Sequence, residues 1–319
     1  MSKIERINCF GFKALKLENE LASLITIPDL GGKIISLVNK KSGFEFIFNN
    51  NYSGLIKSSY GDDFSKARSF GVDECFPSIG PSKYTEFPWK GIEIPDHGEI
   101  WPLLFESEIN NDIITQSVHG IRFPYLFQRN IDLNGNKFTL SYEVKNLSSM
   151  DFKYLYSFHP QFRLLDEVEV LVRNKAKFLV YLLYYDKSNK LIFKKSKYTW
   201  PNAKTMDGEI VNFSRVSEMV DGSLLKLYLY ELLNKEVTIN YKKQKAKIII
   251  GFNNIETKYC GIMINKGGWP FAGRPFYTFA IEPCNCVTDN FEDSYKRGIY
   301  STIKGKSEVR WEISFKIGD

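Results

Sequence analysis

The last segment of the chain alternates residue by residue between apolar and polar side chains. Its apolar members are Val309, Trp311, Ile313, Phe315 and Ile317, and polar or charged residues stand between them. Because successive side chains of a β-strand point to opposite faces, this period of two predicts a strand with one buried and one solvated face. Such strands are typical of antiparallel sheets, which can expose one face to water.

Short apolar runs of the same kind recur along the chain. Residues 137–145 alternate after the hairpin dipeptide Asn134-Gly135, and further runs lie at 24–27, 33–38, 44–48, 167–185, 224–230, 236–241 and 246–252. Strands of this length with turn residues between them indicate antiparallel β-structure. We find no linker, low-complexity tract or internal repeat. We therefore predict an all-β fold with few short helices, a large antiparallel β-sandwich that forms a single domain over residues 1–319.

Composition narrows the functional classes. Of 319 residues, 43% are hydrophobic and 15% aromatic, which is enough for a sizeable core. The 43 Lys and Arg against 37 Asp and Glu give a net charge of +6, a small excess that argues against a nucleic-acid partner. Five scattered cysteines favour reduced thiols over disulfides. The N-terminus has no apolar leader and no run has membrane-spanning length, so we expect a cytoplasmic protein without a membrane partner.

Motifs for the common cofactors are absent from the sequence. It contains no phosphate loop, no dinucleotide-binding glycine pattern and no GxSxG nucleophile elbow. The residues that could bind zinc have spacings that match no known zinc motif: His97, His119, His159, Cys284 and Cys286. We therefore expect neither a metal nor an organic cofactor, and the remaining candidates are acid–base residues with unusual neighbours.

Residues 154–162 place a histidine among aromatic side chains. As one strand, this segment would put Tyr154, Tyr156 and Phe158 on a packed face and His159 on the opposite, less crowded face. Pro160 has no N–H, so we expect it to end the regular pairing there. A histidine at such a strand end can face a ligand, although a lone histidine is more often a satisfied core or edge residue.

Two further residues have suggestive surroundings. Residues 49–102 lack regular periodicity, and a long irregular segment in an otherwise regular chain is usually functional or disordered; its aromatic content argues against disorder. Within it, Gly98 follows His97 and permits a ligand to approach closely. Glu282 ends a late strand on the face of Thr278 and Ala280, whose small side chains suggest space above the sheet. Each could equally be a surface residue.

The order and spacing of these motifs resemble the galactose mutarotase-like superfamily, which includes aldose 1-epimerases and hexose-6-phosphate mutarotases. The shared motifs are a His-Gly after an acidic loop, a His-Pro-x-Phe segment and a late strand that closes in Glu-Pro. The resemblance covers most of the chain and implies a large β-sandwich with a sugar pocket on a concave sheet. It also implies that His159 is the general acid, Glu282 the general base and His97 a second pocket histidine.

The same resemblance implies further substrate-binding residues. The loop that contains Asp73 and Glu74 resembles a substrate-contacting loop, and Arg68 matches the family's early pocket arginine. For an additional substrate-binding aspartate there are two candidates, Asp207 and Asp221. Aromatic residues that could stack on the apolar face of a sugar, or equally belong to the core, are Trp101, Phe162 and Trp269.

Interconversion of anomers requires a proton to leave the C1 hydroxyl while another reaches the ring oxygen. A carboxylate and an imidazolium suffice for this, and such catalysis contributes about 10²–10⁴-fold. The leading prediction is an aldose 1-epimerase-like isomerase that binds a small sugar, either free or phosphorylated. A non-catalytic carbohydrate-binding protein with the same pocket is the alternative, and glycoside cleavage by Glu74 and Glu282 is a third hypothesis.

Overall fold

Two large antiparallel sheets make up most of the computed structural model, which describes residues 1–49, 55–66, 70–185, 193, 197–216, 222–252, 255–269 and 277–318. Within these residues there are 27 strands and a single α-helix, α1 (Phe291–Arg297). The predicted all-β sandwich is therefore confirmed.

The strands are numbered in chain order. Those of the first half are β1 (Lys3–Cys9), β2 (Phe12–Glu18), β3 (Ala22–Ile27), β4 (Lys33–Asn39), β5 (Phe44–Glu45), β6 (Val72–Cys75), β7 (Ser82–Lys83), β8 (Glu93–Ile94), β9 (Glu106–Asn110), β10 (Ile113–His119), β11 (Tyr125–Asn134), β12 (Lys137–Asn146), β13 (Phe152–Tyr154) and β14 (Ser157–Arg163). Those of the second half are β15 (Val168–Val172), β16 (Lys177–Tyr185), β17 (Tyr198–Thr199), β18 (Asn202–Lys204), β19 (Ile210–Asn212), β20 (Arg215–Val216), β21 (Ser223–Tyr230), β22 (Glu236–Tyr241), β23 (Ala246–Phe252), β24 (Tyr259–Lys266), β25 (Tyr277–Cys284), β26 (Ser301–Ile303) and β27 (Glu308–Gly318).

Fourteen strands form the larger sheet, in the spatial order β1-β2-β3-β4-β6-β14-β25-β24-β21-β16-β17-β18-β19, with β5 paired to β4. Nine strands form the smaller sheet, in the order β20-β15-β22-β23-β27-β12-β11-β10-β9. Strands that are distant in the sequence therefore meet at the centre of the larger sheet, where β6, β14 and β25 are neighbours. This arrangement brings together side chains from the first, middle and last thirds of the chain.

The inner faces of the two sheets share a continuous apolar core that extends from Leu15 to Ile317. Phe158 on β14 packs against Phe315 on β27 with ring centroids 5.5 Å apart. The alternation predicted for the C-terminal strand is confirmed, because Trp311 and every second residue after it are buried while those between are half-buried or exposed. Burial of this apolar face is the main force that holds one sheet on the other.

The segment around His159 corrects one prediction. It is not one strand that ends at Pro160: β13 and β14 are separate, and β14 continues through Pro160 to Arg163. Pro160 stays in register with Val72 of β6, and no pairs join β14 to β25 between Ser157 and Gln161. Because the ladder is open on that side, the missing N–H of the proline leaves no partner unsatisfied. His159 therefore lies within a central strand.

The predicted irregularity of residues 49–102 is largely confirmed. Its described part contains only the short strands β6, β7 and β8 and the 3-10 turn Phe64–Lys66. The four residues of β6 are all buried between β4 and β14. No helix in the described ranges has the length and apolar character needed to cross a membrane.

Candidate active site

His159 and Glu282 face each other across two neighbouring central strands. The register of β14 against β25 is set by two backbone pairs: Ser157 with Cys284, and Gln161 with Ala280. The same register puts His159 directly opposite Glu282, and side chains at opposed positions of an antiparallel pair point to the same face. The sheet therefore brings together the two residues on which the predicted chemistry depends.

The two side chains are close and almost fully buried. His159 Nε2 lies 3.8 Å from Glu282 Oε1, with 4% and 0% of the respective side chains exposed. The prediction that Thr278, Ala280 and Glu282 lie on the same face of β25 is confirmed by the pairing of this strand with β24. Neither carboxylate oxygen of Glu282 accepts a hydrogen bond of good geometry from a described residue.

A buried lysine forms an ion pair with this carboxylate. Lys226 Nζ lies 2.9 Å from Glu282 Oε2 and 2.8 Å from Asp289 Oδ1. Tyr228 donates a hydrogen bond from its hydroxyl to the same oxygen of Asp289. Gly261 lies between β21 and β25, and a Cβ there would be 2.9 Å from Glu282 Oε2. Glycine at this position therefore leaves the space in which Glu282 reaches Lys226.

His97 approaches from a loop rather than from the sheet. Its Nδ1 is 3.0 Å from Asp96 Oδ1, and because an ionised carboxylate can only accept, Nδ1 donates and Nε2 is left for a ligand. Its backbone has a φ of +60°, a conformation that is uncommon outside glycine. The ring stacks on Phe64 at 3.6 Å and lies 5.2 Å from the ring of His159.

Gly98 is required by the protein itself rather than by a ligand. It has a φ of +78°, and a Cβ there would be 2.2 Å from the carbonyl oxygen of Phe76. We expected Gly98 to allow a ligand to come close, but it is the backbone of Phe76 that comes close to Gly98. This packing fixes the position of the adjacent His97.

Glu282 does not itself line the neighbouring cavity, but His97 does, and so do the two residues in contact with Glu282, His159 and Lys226. This cavity has a volume of about 320 Å³, within the range of about 300–1,000 Å³ that is usual for small-molecule sites. Its polar lining residues are Asp96, His97, His159, Gln161, Lys226, Thr278 and Asp289. Its apolar lining residues include Phe64, Leu182, Leu224, Met263 and Trp269. The backbone of Trp269 is held by the Asn265 side chain, which donates to its carbonyl at 2.8 Å and accepts from its N–H at 3.1 Å.

Gln161 contributes an amide without a partner. The side chain is 1% exposed, and neither its nitrogen nor its oxygen finds a hydrogen-bond partner among the described residues. A buried polar group in this state is costly unless something else satisfies it. Because Gln161 lines the cavity, its amide is available to a polar ligand.

Burial shifts the titration of both central residues towards their neutral forms. Loss of solvent lowers the pKa of His159 well below its usual value, and the positive charges of His97 and Lys226 lower it further. Loss of solvent raises the pKa of Glu282, an effect that the charge of Lys226 opposes and that of Asp289 reinforces. Perturbed titration of this kind in a cavity is typical of functional residues.

Two of the predicted substrate-binding residues point into the core. Glu74 accepts hydrogen bonds from Arg129, Tyr142 and Tyr156, each at 2.8 Å, and all four side chains are buried. Phe162 pairs with Phe279 in the ladder and packs against it at 5.8 Å.

Neither Glu74 nor Phe162 lines the cavity. The reason is the two-residue period of a strand, which turns their neighbours Asp73 and Gln161 to the opposite face. The hypothesis of glycoside cleavage by Glu74 and Glu282 loses its first carboxylate for the same reason.

The other predicted residues lie at varying distances from the cavity. Asp73 is opposite His159 in the ladder and shares its face, but both its oxygens bind the Lys33 ammonium. Trp101 packs edge-on against Phe64 at 5.1 Å and donates from its indole N–H to the Asp96 carbonyl, so it supports the cavity wall.

Of the two candidate aspartates, Asp207 is exposed and bonded to Thr205, away from the cavity. Arg68 and Asp221 lie outside the described residues. The described part of the chain has no group of three His, Cys, Asp or Glu side chains arranged to hold a metal ion.

Several residues of the cavity were missed by sequence reasoning, and the ones that matter for its chemistry are Phe64, Gln161, Lys226 and Asp289. Lys226 stood out only as a charge within the apolar run of β21, which is a usable indication because Lys is rarely buried without a partner. Gln161 is the variable position of the His-Pro-x-Phe segment. Asp289 follows β25 in a loop, where no periodicity marks it.

A larger cleft of about 1,000 Å³ adjoins the cavity and shares Pro81 and Asp96 with it. Acidic side chains outnumber basic ones in its lining: Asp62, Asp63, Glu93, Asp96 and Glu292 against Lys83 and Arg122. We place the candidate site in the smaller cavity because His97, His159 and Lys226 line it and Glu282 is in contact with the last two.

The arrangement of the sheets is that of galactose mutarotase-like proteins. A galactose mutarotase-like protein from Clostridium acetobutylicum is 14% identical, with a TM-score of 0.70 over 100% of this chain and 99% of its own. A galactose mutarotase related enzyme from Lactobacillus acidophilus is 16% identical, with a TM-score of 0.66 over 96% and 97%. A galactose mutarotase-like protein from Lactobacillus casei is 17% identical, with a TM-score of 0.60 over 95% and 99%. The chain therefore has the galactose mutarotase-like fold, as the sequence motifs predicted.

Sequence comparison adds less. Residues 4–90 match a family model described as a domain of unknown function, DUF5107, which covers less than half of the chain. No curated protein sequence matches the chain significantly. At the identities above, the likeness to solved structures concerns the fold alone, and the function has to be argued from the site.

Proposed function

We propose that this protein is an aldose 1-epimerase-like isomerase that interconverts the α and β anomers of a sugar. The observation that carries the proposal is the pair formed by His159 and Glu282, 3.8 Å apart and buried beside a cavity of about 320 Å³. The two oxygens that exchange protons in mutarotation, the ring oxygen and the C1 hydroxyl, are bonded to the same carbon. An acid and a base that are close neighbours can therefore reach both.

In the proposed reaction Glu282 Oε1 takes the proton of the C1 hydroxyl while His159 Nε2 gives a proton to the ring oxygen. The bond between C1 and the ring oxygen breaks, which leaves an open-chain aldehyde. After rotation about the C1–C2 bond, the same oxygen adds to the other face of the carbonyl and the two protons return. His97, stacked on Phe64, holds an oxygen of the sugar during these steps. The net reaction consumes nothing, because each proton that His159 gives or Glu282 takes is returned before the product leaves.

The protonation state required is one proton shared by His159 and Glu282. Burial favours the arrangement in which both groups are neutral, and a bound sugar favours the ion pair because it offers an acceptor to the imidazolium and a donor to the carboxylate. Since the two groups are coupled, the pH profile reports two macroscopic pKa values of the pair. We expect a bell-shaped profile for kcat/KM.

Recognition of the sugar falls to the rest of the lining. Trp269 and Phe64 offer aromatic faces to the apolar side of a sugar ring. The unpartnered amide of Gln161 can both donate to and accept from hydroxyl groups. The cavity therefore combines the apolar and polar groups that a carbohydrate requires.

The test is polarimetry of freshly dissolved α-D-glucose and α-D-galactose, with their 6-phosphates beside them. Wild-type protein should accelerate the decay of at least one sugar, and His159→Ala and Glu282→Gln should each remove about 10²–10⁴-fold of that rate. His119→Ala and Glu236→Gln are matched controls on exposed strand positions and should keep full activity. Full activity in Glu282→Gln would contradict the assignment.

A non-catalytic sugar-binding protein is the second candidate. It is favoured by the ion pair between Lys226 and Glu282, which occupies one oxygen of the base in the unliganded protein. In this case calorimetry would detect sugar binding and polarimetry would show no acceleration with any sugar tested. A cytoplasmic location and a single-domain organisation stay predictions from the sequence.

A further inference from the structure

Lys226 is a buried charge in the cavity lining that the proposed reaction does not use. Its side chain is 7% exposed, and its ammonium lies between two carboxylates, 2.9 Å from Glu282 and 2.8 Å from Asp289. A buried lysine without partners would lose its proton, but here the geometry supplies two. Its presence beside the proposed base needs a chemical reason.

One reason can be excluded. An amine close to an open-chain aldehyde could form a Schiff base, but only in its unprotonated form. Burial by itself would lower the pKa of Lys226. The negative charges of Asp289 and Glu282 have the larger effect, and they hold this pKa well above its usual value. Lys226 is thus a permanent cation and acts through charge.

A cation at 2.9 Å from a general base creates a difficulty. It keeps Glu282 ionised against the effect of burial, which is useful, but it also makes the carboxylate a weaker base. Asp289 shares the same ammonium, so the three charges together sum to −1. Tyr228 donates to the shared Asp289 oxygen and fixes that carboxylate in place.

We propose that Lys226 and Asp289 set the basicity of Glu282 as an opposed pair of positioning residues, Lys226 keeping the carboxylate ionised and Asp289 limiting how far its basicity falls. This inference rests on the proposed function, since it assigns regulation of the same site. It predicts that removing either partner moves the titration of Glu282, and that the two removals move it in opposite directions. If the two residues only filled space, neither removal would move the titration of Glu282.

Few other groups titrate near Glu282 in the useful range. The charged and titratable groups that face the triad from the surrounding elements of the described chain include His159, His97, Asp96, Tyr228, Cys75, Cys260, Cys286, Asp73 and Lys33. Burial raises the pKa values of Tyr228, Cys75, Cys260 and Cys286 well above their usual ranges, so these four stay neutral. Lys33 and Asp73 neutralise each other. The groups left to shape the acid limb of the pH profile are the His159 and Glu282 pair, His97 and Asp96, and of these Glu282 is the one that forms an ion pair with Lys226.

The experiment is the pH dependence of kcat/KM for wild-type protein, Lys226→Met and Asp289→Asn. Lys226→Met removes the cation, so the acid limb should move to higher pH by about 1–3 units and the rate should recover at alkaline pH. Asp289→Asn removes the second carboxylate that shares the Lys226 ammonium, so Glu282 experiences the full positive charge and the acid limb should move to lower pH. Lys177→Met and Asp207→Asn, made at exposed residues of the same sheet and of its outer hairpin, should superimpose on wild type.

Limbs that do not move, or that move in the same direction, would overturn the inference even if the protein is an active mutarotase. If Lys226→Met does not fold, Lys226→Arg should leave the limb in place while Asp289→Asn still lowers it. A ¹³C NMR titration of the Glu282 carboxyl group, identified by its absence in Glu282→Gln, measures the same opposed shifts without turnover. An inactive wild type with opposed carboxyl shifts would therefore sink the proposed function and keep this inference.

Discussion

Two buried carboxylates lie two strands apart in the larger sheet and differ in the face that they occupy and in the hydrogen bonds that they accept. Glu74 on β6 faces the core, where Arg129, Tyr142 and Tyr156 satisfy it with three hydrogen bonds at 2.8 Å. Glu282 on β25 points to the opposite face, which it shares with the cavity residue Thr278, and there it has an ion pair with Lys226 and no hydrogen bond of good geometry from the described residues. Each carboxylate has a buried cation as its neighbour.

The difference shows how a structural ion pair can be told from a functional one. Burial raises the pKa of both carboxyl groups, so a perturbed pKa alone would rank them together. What separates them is whether the remaining hydrogen-bonding capacity is filled and which face of the sheet they occupy. Glu74 faces the core and accepts three hydrogen bonds, whereas Glu282 faces the other way and accepts none of good geometry from the described residues.

The largest expected effect comes from breaking the core pair. Arg129→Met would leave the Glu74 carboxylate buried beside two tyrosine hydroxyls but without a cation, which should lower the free energy of unfolding by about 3–5 kcal/mol. Glu282→Gln should change it little, because Lys226 keeps Asp289 as a partner. Urea unfolding of both variants measures the contrast.

Arg310→Met is the matched control for the first variant, since Arg310 pairs with Glu143 at an exposed position. Exposed ion pairs contribute about 0–1 kcal/mol, so this variant should unfold almost as wild type does. If Arg129→Met unfolded at the same urea concentration as Arg310→Met, the distinction between the two carboxylates would be wrong.

The second prediction concerns pH and has opposite signs on the two faces. Burial lowers the pKa of His159 below 6.5, so the unfolded chain binds more protons there, and the stability it contributes is present above pH 6.5 and lost as the pH falls towards the folded-state pKa. The raised pKa of Glu74 has the opposite effect on stability. The stability that Glu74 contributes is present below pH 4.5 and is lost as the pH rises. His159→Gln should therefore flatten the decrease in unfolding free energy between about pH 7 and about pH 5.

The measurement is denaturant unfolding at a series of pH values, with His119→Gln as the control. His119 is exposed on β10, so its replacement should leave the slope unchanged. An unchanged slope in His159→Gln would mean that this histidine titrates normally in the folded protein.

The sequence was sufficient to predict which residues share a face when the alternation within one strand decides it. The alternation of β27 and of β12 predicted their buried faces, and the alternation of β25 correctly put Glu282 on the same face as Thr278 and Ala280. The choice between Asp73 and Glu74, or between Gln161 and Phe162, could not be made in the same way. Alternation says that neighbours face opposite sides, but which side bears the cavity depends on where the second sheet packs.

Lys226 and Asp289 were beyond prediction for a different reason. The ion pairs that Lys226 forms with Glu282 and with Asp289 depend on the order in which β21, β24 and β25 pair, and on Gly261 in the strand between β21 and β25. Such pairings join residues far apart in the sequence, and no local pattern encodes them. The break in the ladder at Pro160 is a similar case, because it depends on the register with β25.

The smallest expected effect comes from Gln161 and tests whether its unpartnered amide in the cavity binds the sugar. Gln161→Met keeps the volume of the side chain and removes an amide that has no partner among the described residues, so the free energy of unfolding should stay equal or rise. Sugar binding should weaken by about 0.5–1.5 kcal/mol, which is roughly 2- to 12-fold in Kd or KM, because a hydrogen bond to the ligand is lost. Calorimetry with the sugar and thermal unfolding of the same samples measure both changes. A loss of stability together with unchanged sugar binding would place Gln161 with Glu74, as part of the structure rather than of the site.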